Sequence, residues 1–292
     1  MHTHKPTVLI TGCSSFLGAH TLLHLEKRCS VIGLYHTTKP TFTQSRIIQT
    51  DLTQDSAIDD ISTLEFDWII HLAGKIQSTS EQTAMSINRK MLDTVLKMEK
   101  PIVYASSTAV HWEQDIPYVQ IRREDEQRIV DTGIPHAILR PCAPYGPKIP
   151  GYTPKHKESF QTLVDAIRYA PFVPVIGNGQ YMRQPIHATD FAELIWHCIS
   201  NTETNMTFDA AGASAHTFDT IIQILQAKLH RKRPIVHIPK RLAVLASSLI
   251  GNLEPSLVGA MDNSEAFDVE EIKSRIPLRD FETGCWDLLF NT

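Results

Sequence analysis

Short, uninterrupted apolar runs alternate with helical patterns through the first half of the chain, and this alternation constrains the fold most. Thr7-Val8-Leu9-Ile10, Val31-Ile32-Gly33-Leu34, Arg46-Ile47-Ile48, Trp68-Ile69-Ile70-His71-Leu72, Ile102-Val103-Tyr104-Ala105 and Ala137-Ile138-Leu139 each read as a strand. Strands without polar alternation are buried on both faces, as in a parallel sheet covered by helices. The stretches Phe16 to Leu25, about Glu81 to Lys97, and Tyr118 to Asp131 supply those helices. Right-handed crossovers then give an α/β fold built on a doubly wound parallel sheet.

After Arg140 the texture changes. PCAPYGPKIPGYTPK is rich in Pro and Gly and marks a boundary, and helices are expected near Ser159–Tyr169, from Phe218 and from Arg241. The reading is a dinucleotide-binding domain over 1–145, rejoined by 184–210, with 146–183 and 211–292 forming a smaller substrate lobe. The 292 residues carry a net charge of −4, so no overall basic field favours nucleic acid. The five cysteines are widely spaced and lack a Cys-x-x-Cys, suggesting neither a disulfide framework nor zinc. His20 and His24 share a helix face at metal-ligand spacing, but no third ligand follows, and they read as surface histidines. No apolar stretch approaches the ~20 residues a membrane span needs. The expectation is a cytoplasmic protein with no metal, membrane or nucleic-acid partner.

The first strand runs directly into Thr11-Gly12-Cys13-Ser14-Ser15-Phe16-Leu17-Gly18 and a helix. A dinucleotide site needs a tight turn, close backbone approach to the pyrophosphate, and a small residue where helix meets strand. Gly12 and Gly18 meet the outer requirements, and Ser15 stands where a middle glycine would be. The helix N-terminus then offers N–H groups to the phosphates.

These residues resemble the short-chain dehydrogenase/reductase superfamily, in its extended or atypical branch, the NAD-dependent epimerase/dehydratase group, with its Rossmann domain. Asp51-Leu52 is similar to that family's acidic pair beside the adenine. Leu72-Ala73-Gly74 resembles its strand end against the adenine ribose, and Asn88 its helix asparagine. Arg140-Pro141 with Tyr145-Gly146-Pro147, and Pro185 to Asp190, resemble two further family stretches. The resemblance implies that Gly12, Ser14, Ser15, Phe16, Leu17, Gly18, Tyr35, His36, Asp51, Leu52, Leu72, Ala73, Gly74 and Asn88 surround NAD(P)(H). At the end of the second strand, where a carboxylate would select NAD, stand Tyr35, His36, Thr37, Thr38 and Lys39. That favours NADP(H), unless Tyr35 and His36 merely line the adenine edge.

Hydride transfer to a carbonyl needs a proton donor at the oxygen, a cation beside that donor, and a hydroxyl to fix the carbonyl. The resemblance assigns these to Tyr118, Arg122 and Ser107. Arg122 departs from the family's lysine: it keeps a positive charge near the phenol, but its bulkier planar fork does not duplicate a lysine's contact with the nicotinamide ribose. The spacing of 11 residues from Ser107 to Tyr118 is also short for this branch. Thr108 and Ala109 stand where related dehydratases carry Asp-Glu, which disfavours dehydration. The resemblance further implies substrate contacts from Arg183 and Tyr145. The expected activity is oxidoreduction or epimerisation at a carbonyl or hydroxyl of a nucleotide sugar or other small polar substrate. The alternative is a nucleotide-binding regulatory or assembly module without turnover. Exposed positions on the Tyr118 helix are polar, so the residues leave monomer and homodimer open.

Overall fold

The computed structural model describes residues 5–75, 81–154, 159–250 and 255–289. Six strands come first: β1 (Thr7–Thr11), β2 (Ser30–Tyr35), β3 (Arg46–Gln49), β4 (Trp68–His71), β5 (Ile102–Ala105) and β6 (His136–Pro141). The chain then makes β7 (Val173–Ile176) and β8 (Met182–Arg183) outside that sheet before β9 (Met206–Ala210) rejoins it. The sheet order is β3-β2-β1-β4-β5-β6-β9, and every pairing is parallel. The order reverses beside β1, so a crevice opens beyond the carboxyl ends of β1 and β4, where open α/β sheets bind ligands.

Both faces are covered, which accounts for the unbroken apolar runs. In β1, Val8 and Ile10 join one buried cluster with Leu22, Phe191 and Ile195, while Leu9 joins another with Leu92, Tyr104 and Ile129. Helices α1 (Phe16–Leu25) and α6 (Ala188–Ser200) pack together on the first face. The second face carries α2 (Ser56–Ser62), α3 (Glu81–Leu96) and α4 (Pro117–Asp131). Edge strand β3 ends in exposed Arg46 and Gln49, polar residues that discourage further strand pairing.

A separate apolar cluster lies outside the sheet. It joins α5 (Ser159–Tyr169), α7 (Phe218–Lys228), α11 (Phe281–Leu289) and β7, which pairs in parallel with β11 (Ile235–Ile238). Strand β8 pairs antiparallel with β10 (His216–Thr217). Helices α8 (Lys240–Ile250), α9 (Pro255–Ala260) and α10 (Glu270–Lys273) complete the described chain. Val269, Ile272 and Ile276, beside and within α10, pack into the first sheet cluster, so part of 211–292 is seated on the main body. No described helix is long and apolar enough to cross a membrane. His20 is buried rather than on the surface: its ring meets that of Phe16 edge-on, and its Nε2 lies 3.0 Å from the Pro147 carbonyl.

Two further buried histidines tie stability to pH. His71 ends β4, with Nδ1 2.7 Å from the Thr11 hydroxyl, and burial followed by the nearby Arg122 charge lowers its pKa to about 3. His187 caps α6, and burial followed by Arg279 and His20 brings it also to about 3. Below their ordinary 6.5 the unfolded chain takes up protons that the folded one refuses until about 3. Stability is therefore complete above 6.5 and falls as pH drops from there toward about 3, by up to about 1.4 kcal/mol per pH unit per histidine. The denaturation midpoint should decline steadily below pH 6.5, and His71→Gln should flatten the decline; a midpoint constant across the window would contradict this assignment.

Candidate active site

The glycine turn joins β1 to α1 at the crevice. Gly12 has φ +68, and a Cβ on it would lie 2.6 Å from the Ala73 nitrogen, so the end of β4 closes directly on the turn. A Cβ on Gly18 would lie 2.1 Å from the Gly12 carbonyl oxygen, which sets how closely helix and strand pack. Ser15, in the middle glycine's place, is the N-cap of α1, and its Oγ accepts from the Gly18 N–H at 3.0 Å. The other first-turn N–H groups lack intrahelical partners and suit an anion.

The surrounding expected residues divide into lining and support. Phe16 is almost buried beside His20, and Leu17 packs on the sheet cluster. Leu52 is buried, and Leu72 and Ala73 pack against the two sheet clusters. Asn88 works through the backbone: its side chain accepts from the Lys75 N–H and donates to the Lys75 and Ala84 carbonyls, at 2.8–2.9 Å. It thereby latches the segment after β4 to α3. Asp51 folds back on Thr53, accepting from its N–H at 3.0 Å and its hydroxyl at 2.7 Å. Partial burial opposes its charge, but those bonds and His36, 3.6 Å away, hold its pKa below the usual value. Tyr35 packs on the sheet cluster, while the His36 side chain is exposed.

Tyr152 was not anticipated. Its hydroxyl donates to the Ser14 carbonyl at 2.6 Å, and its ring meets Phe42 edge-on at 4.7 Å. It thus joins the turn to the loop after β2, across the approach to the crevice. The Pro/Gly-rich composition around it gave no hint of this contact.

Across the crevice, Ser107 caps a short 3-10 turn (Thr108–His111), its Oγ accepting from the Ala109 N–H at 3.2 Å. Pro117 starts α4, and Tyr118 and Arg122 follow one turn apart on the same side. The Arg122 guanidinium lies 5.6 Å from the Tyr118 ring and 6.0 Å from that of Tyr104. It fits there because Gly74 has no side chain: a Cβ would sit 2.9 Å from Nη2. Burial opposes the Arg122 charge, but the Tyr104 and Tyr118 phenols and Asp125 outweigh it and raise its pKa. Glu126 accepts from Ser106 Oγ at 2.5 Å and takes two bonds from Arg140, at 2.9 and 2.6 Å. This links β5 and β6 beneath the 3-10 turn.

Two expected substrate residues are committed elsewhere. Tyr145 is fully buried among Phe160, His187 and Phe281, so it presents no surface to a substrate. Arg183 directs its fork to the carbonyls of Met182, Met261 and Asn263, with Nε 3.4 Å from Glu265. Glu265, buried, also accepts from Thr108 at 2.7 Å and from Trp112 at 3.2 Å, so this cluster ties 261–265 to the Ser107 loop. Among the described residues no group of three or more His, Cys, Asp or Glu is placed to hold a metal.

The family model described as NAD dependent epimerase/dehydratase matches residues 8–127 and 121–211. The chain belongs to this family. A relative within reach of sequence comparison, dTDP-4-dehydro-6-deoxy-D-allose reductase of Streptomyces bikiniensis, is 24% identical over 324 residues, covering 96% of this chain and 95% of that one. Among solved structures, the UDP-N-acetylglucosamine 4-epimerase of Methanobrevibacter ruminantium M1 aligns with a TM-score of 0.78 at 16% identity, covering 98% of this chain and 97% of that one. The UDP-glucose 4-epimerase of Bifidobacterium longum, solved with NAD+ and UDP, gives 0.78 at 17% identity, covering 97% of each. At these identities the likeness carries the fold.

Proposed function

We propose that this chain is an NAD(P)(H)-dependent reductase acting on a keto group of a nucleotide-linked sugar. The carrying observation is the placement of Tyr118 and Arg122 one turn apart on α4, with the Arg122 guanidinium against Gly74, next to the Ala73 on which the glycine turn closes. The residues present fit a dinucleotide: Gly12 and Gly18 allow the tight turn, and the capped N-terminus of α1 is left for phosphates. Such a dinucleotide supplies, when bound, hydride exchange at the nicotinamide C4. Tyr118 delivers the proton to the carbonyl oxygen, Ser107 Oγ holds that oxygen, and Arg122 keeps a positive charge beside the phenol. Ser107 has a hydroxyl hydrogen free for this, since its Oγ acts as acceptor toward Ala109.

The allose-reductase relative supports reduction over epimerisation, and the absence of a carboxylate at Thr108 and Ala109 weighs against dehydration. Residues 146–183 and 211–292 form the substrate lobe in this reading. The loop after β2, with Thr37, Thr38 and Lys39 and no carboxylate, favours NADP(H). The protein works in the cytoplasm as a monomer or homodimer.

Fluorescence titration with NADPH and NADH comes first, followed by turnover on 4-keto sugar nucleotides. Micromolar binding with reduction of one such substrate is expected. Binding without turnover on any keto sugar would favour the non-catalytic module, for which the Arg122 substitution is the supporting observation. Failure of both dinucleotides to bind would remove the reading altogether.

A further inference from the structure

Arg122 poses a physical problem. A lysine ammonium delivers the same charge whichever way it rotates, but a guanidinium is a planar fork on a long flexible stem, and its plane must be set. The structure holds this fork on three sides. Nη1 donates to the Tyr104 hydroxyl at 2.8 Å and lies 3.4 Å from the Ala105 carbonyl. Nη2 lies against Gly74, and the Tyr104 and Tyr118 rings flank the group. The Tyr104 hydroxyl in turn donates to Asp125 Oδ2 at 2.9 Å. The direction of this chain is fixed by chemistry, because arginine accepts nothing and a carboxylate donates nothing. Tyr104 cannot swing away, since its ring stacks on His71 at 5.8 Å and is 1% exposed. Asp125 is 1% exposed and Arg122 is 7% exposed. Asp125 does not touch Arg122; its other oxygen lies 3.9 Å from Arg128.

Burying two charges and a phenol under a sheet end is a poor way to gain stability, since apolar packing of the same volume serves as well or better. What the arrangement does achieve is a single orientation of the guanidinium. We propose that Tyr104 and Asp125 are positioning residues that set the plane of the Arg122 guanidinium beside Tyr118. The functional consequence rests on reading Arg122 as the fixed cation of the site; the positioning itself does not. In sequence Tyr104 is separated from Arg122 and Asp125 by the 3-10 turn and a loop, and only the passage from β5 to α4 brings them together.

The test uses Tyr104→Phe, which removes the hydroxyl and keeps the ring, and Asp125→Asn, each in the full chain with ¹⁵N-labelled arginine. In the wild type the Arg122 Nε–H is buried without a partner, so its resonance should exchange slowly with water; Arg122→Lys identifies the signal by deleting it. Tyr104→Phe should accelerate that exchange and the rotation about Cζ–Nη by about tenfold or more, with the melting curve still cooperative. Asp125→Asn should have a smaller effect in the same direction. Exchange and rotation within about twofold of wild type in Tyr104→Phe would overturn the proposal, whether or not the protein is active. With a turned-over substrate, kcat should fall about tenfold or more at nearly constant KM, and the loss should vanish in an Arg122→Met background. A loss that persists there would make Tyr104 merely structural. If no keto sugar is reduced but the arginine signal responds, the positioning stands and the reductase reading fails.

Discussion

Tyr118→Phe should bind dinucleotide within about twofold of the wild type, and turnover should fall by a factor on the order of 10² to 10⁴, the usual contribution of a positioned proton donor. The aromatic ring that flanks the Arg122 guanidinium at 5.6 Å stays in place, so the fold and the cation are left undisturbed. Paired measurement of kcat and of the dissociation constant on one preparation decides the matter. Retained turnover would transfer the proton donor's role to another group, and lost binding would show that Tyr118 shapes the cofactor pocket instead. Ser107→Ala mixes two effects. Besides turnover it removes the Oγ that caps the 3-10 turn, worth about 1 kcal/mol of stability.

A large stability loss should come from Gly18→Ala. The added Cβ would lie 2.1 Å from the Gly12 carbonyl oxygen, a backbone atom at the centre of the turn, so α1 must move away from β1 to admit it. Overpacking of this kind costs about 1–3 kcal/mol or more, and here the displaced element carries the phosphate-facing N–H groups. Dinucleotide binding should therefore weaken along with the unfolding midpoint. Gly133→Ala is the matched control: φ is +69, but nothing lies within 4 Å of its Cβ. It should cost only the left-handed backbone penalty, about 1–2 kcal/mol, with binding unaltered. Equal effects of the two substitutions would mean that close helix–strand packing contributes nothing beyond ordinary backbone strain.

The strands and the glycine turn were legible because their signals are local. A continuous apolar run and a small residue at a strand–helix turn each carry their meaning within a few residues of chain. Ser15 shows both the reach and the shortfall of such reasoning: it stands in the middle glycine's place, and the structure gives it further work as the N-cap of α1. Tyr145 and Arg183 illustrate the opposite limit. Whether a tyrosine faces a cleft or a core depends on Phe160 and Phe281, and whether an arginine is free depends on carbonyls about 80 positions away, which no local pattern encodes. The same holds for the seat of Arg122, where Gly74 clears the space and Tyr104 fixes the fork. β9 departs from the unbroken apolar runs of the inner strands: Met206-Thr207-Phe208-Asp209 alternates, as befits the edge of the sheet.

That edge strand bears on how the protein is made. On the ribosome β1 to β6 emerge first, leaving the rim of β6 without its neighbour until synthesis has passed α5 and α6 and reached residue 210. For that interval the nascent sheet presents an unsealed parallel edge, the kind of surface that attracts mispairing and chaperones. Completion of the sheet is thus coupled to passage through the outer cluster, and a chain released between β6 and β9 would be an aggregation-prone fragment rather than a small working domain.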